Sequence, residues 1–343
     1  MNTREERRRI LVTKPNTIEI RKELTPGPGE GEVRIDLIAA GICGSDNSAA
    51  AGHHPMVPLP YYPGHEVVGV ISEVGSGVSA AAPGQRVTVN PPLPCQDCKM
   101  CRTNRSNLCE NMRFFGCGWE EGGMADSFIV PASRLYPIPR EMTDEQAALI
   151  EPLATPVHAA RLAGDLQSKA VVIQGAGTIG LFMLAAVRAA GAENIIVTDI
   201  LEDKLNKALS LGAKGVVSAL SENLSEDVRM ALGESADVVF DCVSTQKTIQ
   251  SAIEMAMKGG TVVVVGVPHG SVNVPLHIIQ DQQMQIQGAA TYLAEDYDDA
   301  AAMIMRGQVN PNDFITATFP LDHAEDAFKA ATSGKHTKIL VTP

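Results

Sequence analysis

The sequence predicts an α/β protein of two domains, a compact β-barrel followed by a doubly wound domain with a parallel sheet. Up to about residue 153, short β-type runs such as EVRIDLIAAGI at 32–42 are separated at short intervals by Gly and Pro, as in all-β barrels. From about 169 to 289, continuous Val/Ile runs alternate with longer helical patterns, which is typical of parallel strands covered on both faces. The chain has 343 residues, of which 45% are hydrophobic, enough for a core in each domain.

The second domain is predicted element by element from its apolar runs. Strands are predicted at 170–174, 194–199, 236–243 and 261–268, and helices at 180–191, at 200–212 and in a segment ending at 256–260. After about residue 291, two amphipathic stretches at 296–308 and 321–334 precede a final strand at 338–343. The alternation of strands and helices favours a doubly wound sheet.

Composition and charge exclude several kinds of partner. The formal net charge is −12, whereas nucleic-acid binding needs clustered Lys and Arg. The only basic run, Arg7–Arg9, stands beside Glu5 and Glu6, and we expect it to be a solvated chain end. The first twelve residues contain no signal-type apolar stretch, and no window approaches a membrane-spanning length. Seven cysteines in a chain of this size fit a reducing cytoplasm. From the charge and the apolar pattern, we expect a protein that binds neither nucleic acid nor membrane.

Four closely spaced cysteines form the most specific motif. They are Cys95, Cys98, Cys101 and Cys109, with the spacing C-x2-C-x2-C-x7-C. They lie in a polar lobe at about 91–113, and such spacing lets one loop surround a tetrahedral ion with thiolates, as in structural zinc sites. Disulfides are typical of short secreted chains. A bacterial iron–sulfur run has its fourth cysteine about three residues on, followed by Pro, whereas here the gap is seven and Glu110 follows. We therefore predict a structural zinc ion.

A glycine-rich turn lies between the first strand and the first helix of the second domain. It reads G-x-G-x-x-G and comprises Gly175, Gly177, Thr178, Ile179 and Gly180. Between a strand and a helix, this motif predicts that a dinucleotide pyrophosphate binds at the helix N-terminus. The next strand ends at Asp199, and no Arg directly follows it. A carboxylate there accepts ribose hydroxyls and repels a 2′-phosphate, so NAD is favoured over NADP. The alternative is a structural glycine turn with Asp199 as a helix cap.

Three further motifs are GICGSD at 41–46, PGHE at 63–66 and EPLAT at 151–155. Singly they are weak, since a lone Cys is usually a buried hydrophobic residue. Combined in order with the four-cysteine lobe, the glycine-rich turn and Asp199, they make the chain resemble the zinc-dependent medium-chain dehydrogenases. Within that family the chain is similar to the sorbitol (polyol) and threonine dehydrogenase branch, and the resemblance runs from end to end.

The resemblance implies a fold and a division of the chain. A GroES-like β-barrel catalytic domain, which carries both zinc ions, is expected at 1–153 and 290–343. A Rossmann NAD-binding domain with a parallel sheet is expected at 154–289.

The resemblance also implies a catalytic zinc held by Cys43, His65 and one carboxylate. Glu66 and Glu151 are rivals for the third place: one binds zinc directly, while the other holds zinc-bound water or lies beside the site. Three protein ligands leave a fourth position for the alcohol oxygen, and zinc lowers the pKa of a bound hydroxyl toward about 7.

Other roles follow from the same alignment. Ser45 matches the hydroxyl that accepts the substrate proton, and Thr155 matches a residue near the nicotinamide. For both, a turn or cap hydroxyl is the alternative. Asp46 matches a carboxylate that orients the ligand His65, a support that metal sites commonly need.

The chain departs from its relatives in two places. Ser48 stands where many members have a proton-relay His, so solvent, the ribose hydroxyl, His53 or His54 takes over, or proton release runs differently. Thr291 and Tyr292 stand where sorbitol dehydrogenases usually have Arg-Tyr, which weakens the case for sorbitol but keeps Tyr292 as a substrate candidate. His158 is expected to be a satisfied buried residue and not a ligand.

These observations favour an NAD-dependent zinc oxidoreductase that interconverts a secondary alcohol of a polyol, sugar or cyclitol and its ketone. The alternatives are a threonine or amino-alcohol dehydrogenase, and a non-catalytic zinc-stabilised NAD-binding protein. Relatives are tetramers or dimers joined by strands at the edge of the Rossmann sheet, and the run at 261–268 is a candidate contact. We therefore expect a homotetramer or a dimer.

Overall fold

The computed structural model describes residues 6–268 and 270–343. The chain forms two compact units: the described residues up to Glu151 together with Ile304–Pro343, and Pro152–Met303. The second unit thus includes residues 290–303, which the sequence analysis assigned to the first domain. They belong there because Asp296 and Asp299 bind His158 and Arg161 of the same unit.

The secondary-structure elements follow one another along the whole chain. The strands are β1 (Glu6–Lys14), β2 (Thr17–Leu24), β3 (Glu32–Gly41), β4 (Glu66–Val74), β5 (Arg86–Val89), β6 (Pro92–Leu93), β7 (Arg113–Phe114), β8 (Ser127–Pro131), β9 (Leu135–Pro137), β10 (Ala170–Gln174), β11 (Asn194–Asp199), β12 (Gly215–Ser218), β13 (Ala236–Asp241), β14 (Ala256–Val264), β15 (Gln285–Gly288), β16 (Ile315–Pro320) and β17 (Lys338–Thr342). The α-helices are α1 (Gly44–Ala50), α2 (Lys99–Arg102), α3 (Asp144–Ala147), α4 (Ile150–Leu162), α5 (Thr178–Ala189), α6 (Glu202–Ser210), α7 (Leu224–Leu232), α8 (Gln246–Met255), α9 (Leu276–Asp281), α10 (Ala294–Met305), α11 (Pro311–Phe314) and α12 (Ala324–Thr332). Short 3₁₀ turns occur at Ser106–Leu108, Ala132–Arg134 and Leu321–His323.

The first unit is organised around a seven-stranded sheet with the order β16-β17-β3-β4-β5-β9, in which β8 also pairs with β3. Apolar residues alternate along β3, so that Val33, Ile35 and Leu37 are buried on one face, as expected for a half-buried strand. The last strand, β17, pairs antiparallel with β3 and adds Ile339 and Val341 to the same core. The C-terminal segment is therefore an integral part of the first unit.

The second unit contains a six-stranded parallel sheet with the order β12-β11-β10-β13-β14-β15. All five residues of β10 are buried, which is expected for a strand covered by helices on both faces. The chain moves outward through β11 and β12 and then crosses to β13 on the other side of β10. This order is the doubly wound Rossmann topology, in which ligands bind at the carboxyl ends of the strands where the order reverses.

One predicted helix end is wrong. Helix α8 ends at Met255, and residues 256–260 begin β14 instead of completing the helix. Ala256 pairs with Ala236 of β13, and Gly259 has a φ of 75°. The chain turns here because glycine adopts this left-handed conformation without steric cost, and pairing with β13 then replaces helical hydrogen bonds.

The basic run near the N-terminus is also unlike its prediction, because Arg7 and Arg9 are buried in β1. Arg7 lies 2.7 Å from the carboxylate of Glu23 and 2.8 Å from that of Glu121, and the guanidinium of Arg9 lies 3.4 Å from the ring centre of Tyr62. Burial is tolerated because each charge has a partner. Glu121 is far away in sequence, so no local pattern could reveal it.

Within the described residues, none of the helices has both the length and the apolar character that crossing a membrane requires.

Candidate metal centres and cofactor site

The four lobe cysteines are brought together around one point. Their sulfur atoms all lie within 4.8 Å of one another, with 3.5 Å between Cys98 and Cys101 and 4.0 Å between Cys98 and Cys109. The backbone N–H groups of Asp97 and Cys98 donate to Cys95 and lower the pKa of that thiol to about 6. Each cysteine is free of disulfides. Four converging thiols with thiolate-stabilising donors are the donor set that tetrahedral zinc requires, so the lobe fits a zinc ion.

A second cluster is assembled by the register of β3 and β4. Gly41 pairs with Glu66 in the antiparallel ladder, so Cys43, just beyond the end of β3, meets His65, just before β4. Ligand atoms of Cys43, His65 and Glu66 lie within 4.8 Å of one another. The ring of Phe114 packs edge-on against His65 at 5.7 Å between ring centres. The sequence-predicted Cys43, His65 and Glu66 thus come together, as sheet geometry requires.

Glu66 is enclosed by two features that the sequence analysis missed. A side chain on Gly41 would collide with the Glu66 carboxylate, so only glycine fits at that place in β3. Lys338 Nζ lies 2.6 Å from each Glu66 oxygen and donates to the Ile42 carbonyl at 3.1 Å. Burial alone would lower the pKa of Lys338, but the charge of Glu66 outweighs it and raises that pKa. The one available signal was a lysine that opens the otherwise apolar strand β17.

Asp46 is buried next to the cluster and lies close to two of its members. Its Oδ2 accepts the Cys43 N–H at 3.0 Å, and its Oδ1 lies 3.7 Å from His65 Nδ1. Burial raises the pKa of Asp46. Burial lowers the pKa of His65, but the negative charges of Asp46, Cys43 and Glu151 outweigh it and raise that pKa well above its usual value. A buried imidazole among a thiol and several carboxylates is an environment that favours a bound cation, so these residues also fit a zinc ion.

The remaining predicted residues of the first unit do not belong to the Cys43–His65–Glu66 cluster. Glu151 is buried in the first turn of α4 and does not belong to the three-residue cluster, although its charge raises the pKa of Lys338. Ser45 is half-buried in the first turn of α1, one helical turn before Ser48, while His53 is exposed.

The glycine-rich turn of the second unit has the predicted geometry. Gly175 has a φ of 91°, and a side chain on Gly180 would collide with the Gly175 carbonyl. Gly177 caps α5, so the N-terminal N–H groups of that helix lie next to the turn, where anions bind. Asp199 is 9% exposed at the end of β11. Its oxygens accept N–H groups of Ala176 at 2.7 Å and Leu201 at 2.9 Å, which ties the turn to the second strand.

Two other predicted residues of the second unit lie on α4 and before α10. Thr155 is half-buried on α4. Tyr292 is only 3% exposed, and its ring centre lies 5.9 Å from that of Tyr297. His158 is buried and hydrogen-bonded to Asp296 at 2.7 Å.

Two family models match the chain in succession. The alcohol dehydrogenase GroES-like domain matches residues 29–140, and the zinc-binding dehydrogenase model matches residues 178–306. A GroES-like domain followed by a Rossmann-like domain is the organisation of zinc-dependent medium-chain dehydrogenases, so the expected fold is confirmed.

Individual relatives extend this similarity over almost the whole chain. Sorbitol dehydrogenase of Arabidopsis thaliana is 33% identical over 334 residues, which cover 94% of this chain and 91% of the relative. A zinc-binding dehydrogenase of Sinorhizobium meliloti 1021 bound to NADP has a TM-score of 0.91 and 30% identity, over 99% of this chain and 100% of the other. An alcohol dehydrogenase of Escherichia coli CFT073 complexed with NADH has a TM-score of 0.91 and 28% identity, over 98% and 99%. The chain belongs to the polyol dehydrogenase branch of the zinc-dependent medium-chain dehydrogenases.

Proposed function

We propose that the protein is a zinc- and NAD-dependent dehydrogenase that interconverts a secondary alcohol of a polyol, sugar or cyclitol and its ketone. The observation that carries this proposal is the convergence of Cys43, His65 and Glu66 in a chain that also has a dinucleotide-type glycine turn. The similarity to a sorbitol dehydrogenase over 94% of the chain supports the substrate class.

Cys43, His65 and Glu66 would hold the catalytic zinc, and the four lobe cysteines the structural zinc. The grouping of their donor atoms within 4.8 Å supports both assignments. We favour Glu66 over Glu151 as the third catalytic ligand because Glu151 does not belong to that group. Lys338 contacts both oxygens of Glu66, but each oxygen has two lone pairs, which leaves one for a metal. Bound zinc supplies Lewis-acid polarisation of an alcohol or carbonyl oxygen.

The neighbouring side chains orient ligands and move a proton. Asp46 would keep the His65 ring in place, supported by its position 3.7 Å from His65 Nδ1. Ser45 would accept the proton of the substrate hydroxyl, and Ser48, one helical turn further along α1, would pass it towards solvent in place of a His. Thr155 would contact the nicotinamide ring, which accepts the hydride.

Several features of the second unit support NAD as the cofactor. The Asp199 carboxylate keeps lone pairs for ribose hydroxyls beside its two backbone hydrogen bonds, and its negative charge opposes a 2′-phosphate. Exposed apolar side chains of Ile200, Leu220 and Val243 follow β11, β12 and β13. Because these strands are parallel, the side chains lie at the same edge of the sheet, where an adenine ring would be bound.

We also propose a homotetramer or dimer in a reducing, cytoplasmic compartment. Strand β14 pairs on both sides, so the predicted contact at 261–268 is not at an edge. The strand at the adjacent edge of the sheet is β15, whose four residues are exposed, and it could pair with a second copy. All seven cysteines lie in the described part of the chain and are free of disulfides, which suits a reducing compartment.

The direct test is a screen of NAD reduction with polyols, sugars, cyclitols and L-threonine, combined with a count of zinc per subunit. We expect two zinc ions and turnover with a polyol, sugar or cyclitol. Turnover confined to L-threonine would replace the substrate class, and one zinc without any turnover would indicate a non-catalytic NAD-binding protein. In the same zinc count, Glu66→Gln should lose one zinc ion and Glu151→Gln should retain both. The opposite result would make Glu151 the third zinc ligand in place of Glu66.

A further inference from the structure

Asp296 is the buried centre of a polar cluster in the second unit, which the roles proposed above do not use. It lies in the first turn of α10 and is fully buried, with an exposed fraction of 0%. His158 Nδ1 and Arg161 Nε each lie 2.7 Å from one of its oxygens, and the Leu293 N–H donates to Oδ2 at 2.8 Å. Because a carboxylate only accepts, His158 carries its proton on Nδ1. We call Asp296, His158 and Arg161 the Asp296 clamp.

The clamp closes the turn that precedes α10. The N–H of Asp296 donates to the Leu293 carbonyl at 3.2 Å, while its carboxylate accepts the Leu293 N–H. Thr291, two residues earlier, has a φ of 49°, which is a strained conformation for a β-branched residue. Such strain persists only when surrounding contacts over-determine the backbone. The two hydrogen bonds at Leu293 contribute to that constraint on the Thr291–Leu293 turn, which carries Tyr292.

The other side of the clamp is helix α4. Thr155, His158 and Arg161 follow one another at three-residue steps on this helix, so they share one face. The clamp therefore fixes the Thr291–Leu293 turn to the helix that carries Thr155. The buried His158–Asp296 pair is weak evidence for stability, because apolar residues of similar volume often replace such a pair without loss. The more informative consequence of the clamp is that it fixes the position of the Thr291–Leu293 turn relative to α4.

We propose that His158 and Asp296 are positioning residues that hold Tyr292 at a set distance from Thr155 and thereby set the affinity for the alcohol. The inference rests on the proposed dehydrogenase function and on Tyr292 as the substrate candidate that the family resemblance implies. None of the three clamp residues needs to touch the alcohol. Their effect is transmitted through the turn, so it should appear in alcohol binding and not in nucleotide binding.

The test compares His158→Leu, which removes the donor, with His158→Asn, whose amide N–H replaces Nδ1–H. His158→Leu and Asp296→Asn should lower kcat/KM for the preferred alcohol by about 100-fold, because a misplaced contact costs that much. Most of the loss should be in KM, with the Kd for NADH unchanged. His158→Asn should recover most of the activity. Hydrogen–deuterium exchange of residues 289–297 should be faster in His158→Leu than in the wild type, while exchange in β10 and β13 stays the same.

Asp299→Asn is the matched control, because Asp299 also binds Arg161 at 2.7 Å but is exposed, and such surface pairs contribute little. It should leave KM and exchange unchanged. The inference is overturned if His158→Leu leaves both KM and exchange at 289–297 unchanged. It is also overturned if KM, the Kd for NADH and the thermal midpoint all worsen together without rescue by His158→Asn. A wild-type protein without any alcohol turnover would refute the proposed function, whereas an active protein in which His158→Leu changes neither KM nor exchange would refute the clamp alone.

Discussion

The four-cysteine lobe and the Cys43–His65–Glu66 cluster are both groups of metal-type donors, but they are built in opposite ways. The lobe takes all its donors from one polar loop and holds them with its own backbone N–H groups. The second cluster takes its donors from the adjoining ends of two paired strands, β3 and β4, and surrounds them with Asp46, Glu151 and Lys338. A closed four-thiolate site contributes folding energy, whereas a buried cluster with an embedded charge network maintains a particular arrangement for chemistry.

The largest expected effect separates the two regions by function. Cys43→Ser should lower kcat by about 10³-fold, because Lewis-acid assistance is worth several kcal/mol, while the thermal midpoint is nearly unchanged. Cys98→Ser should instead lower the thermal midpoint and solubility. Steady-state NADH production, calorimetry and zinc counts on both variants check this. Full alcohol-dependent turnover by Cys43→Ser would contradict the functional assignment. A Cys98→Ser protein with normal stability but no turnover would contradict the structural one.

The next effect tests the charge network around Glu66. In zinc-free protein, Lys338→Met leaves the buried Glu66 carboxylate without its partner, which should destabilise the protein by about 3–5 kcal/mol. The double variant Lys338→Met/Glu66→Gln should be more stable than the single one, because the uncompensated charge is gone. Urea unfolding measures both. Lys329→Met is the control, since Lys329 pairs with Glu325 at the surface and should cost at most about 1 kcal/mol. A Lys338→Met protein as stable as this control would show that the buried Lys338–Glu66 pair does not contribute to the free energy of unfolding.

A smaller effect tests the close approach of β3 to Glu66. Gly41→Ala places a methyl group where the Glu66 carboxylate lies, and such overpacking typically costs about 1–3 kcal/mol. We also expect this variant to lose the zinc of the Cys43 cluster and to keep that of the lobe. Gly44→Ala is the matched control, because open space surrounds that position. Metal analysis and thermal unfolding of both variants check the prediction, and equal behaviour of the two would contradict it.

The smallest effect concerns the reactivity of the thiols. In zinc-free protein, Cys95 has a pKa of about 6 because backbone N–H groups stabilise its thiolate, whereas burial raises the pKa of Cys117 to about 12. A lowered pKa means that the thiolate exists above pH 6, so alkylation of Cys95 should rise with a midpoint near that pH. Cys117 should remain unreactive at neutral pH. Iodoacetamide labelling followed by mass spectrometry measures both rates, and zinc should protect Cys95. Equal labelling of the two thiols would contradict the contrast.

Features formed by residues close together in sequence could be predicted, whereas features formed by residues far apart in sequence could not. The lobe could be predicted because its spacing alone surrounds an ion, and the glycine-rich turn because it joins a strand to a helix. The Lys338–Glu66 pair could not be predicted, since its two members are 272 residues apart and meet only because β17 pairs with β3. The burial of Arg7 escaped for the same reason: its partner Glu121 belongs to a distant loop. Residues 256–260 look helical in isolation, and only pairing with β13 makes them a strand.

The most direct test of the account is a crystal structure with anomalous data collected at the zinc edge. We predict two zinc peaks per subunit, one among the four lobe sulfurs and one bound by Cys43, His65 and Glu66, at about 2.3 Å from sulfur and 2.0–2.2 Å from nitrogen and oxygen. A single peak in the lobe, in active protein prepared without chelators, would contradict the central claim that the buried cluster is the catalytic metal site.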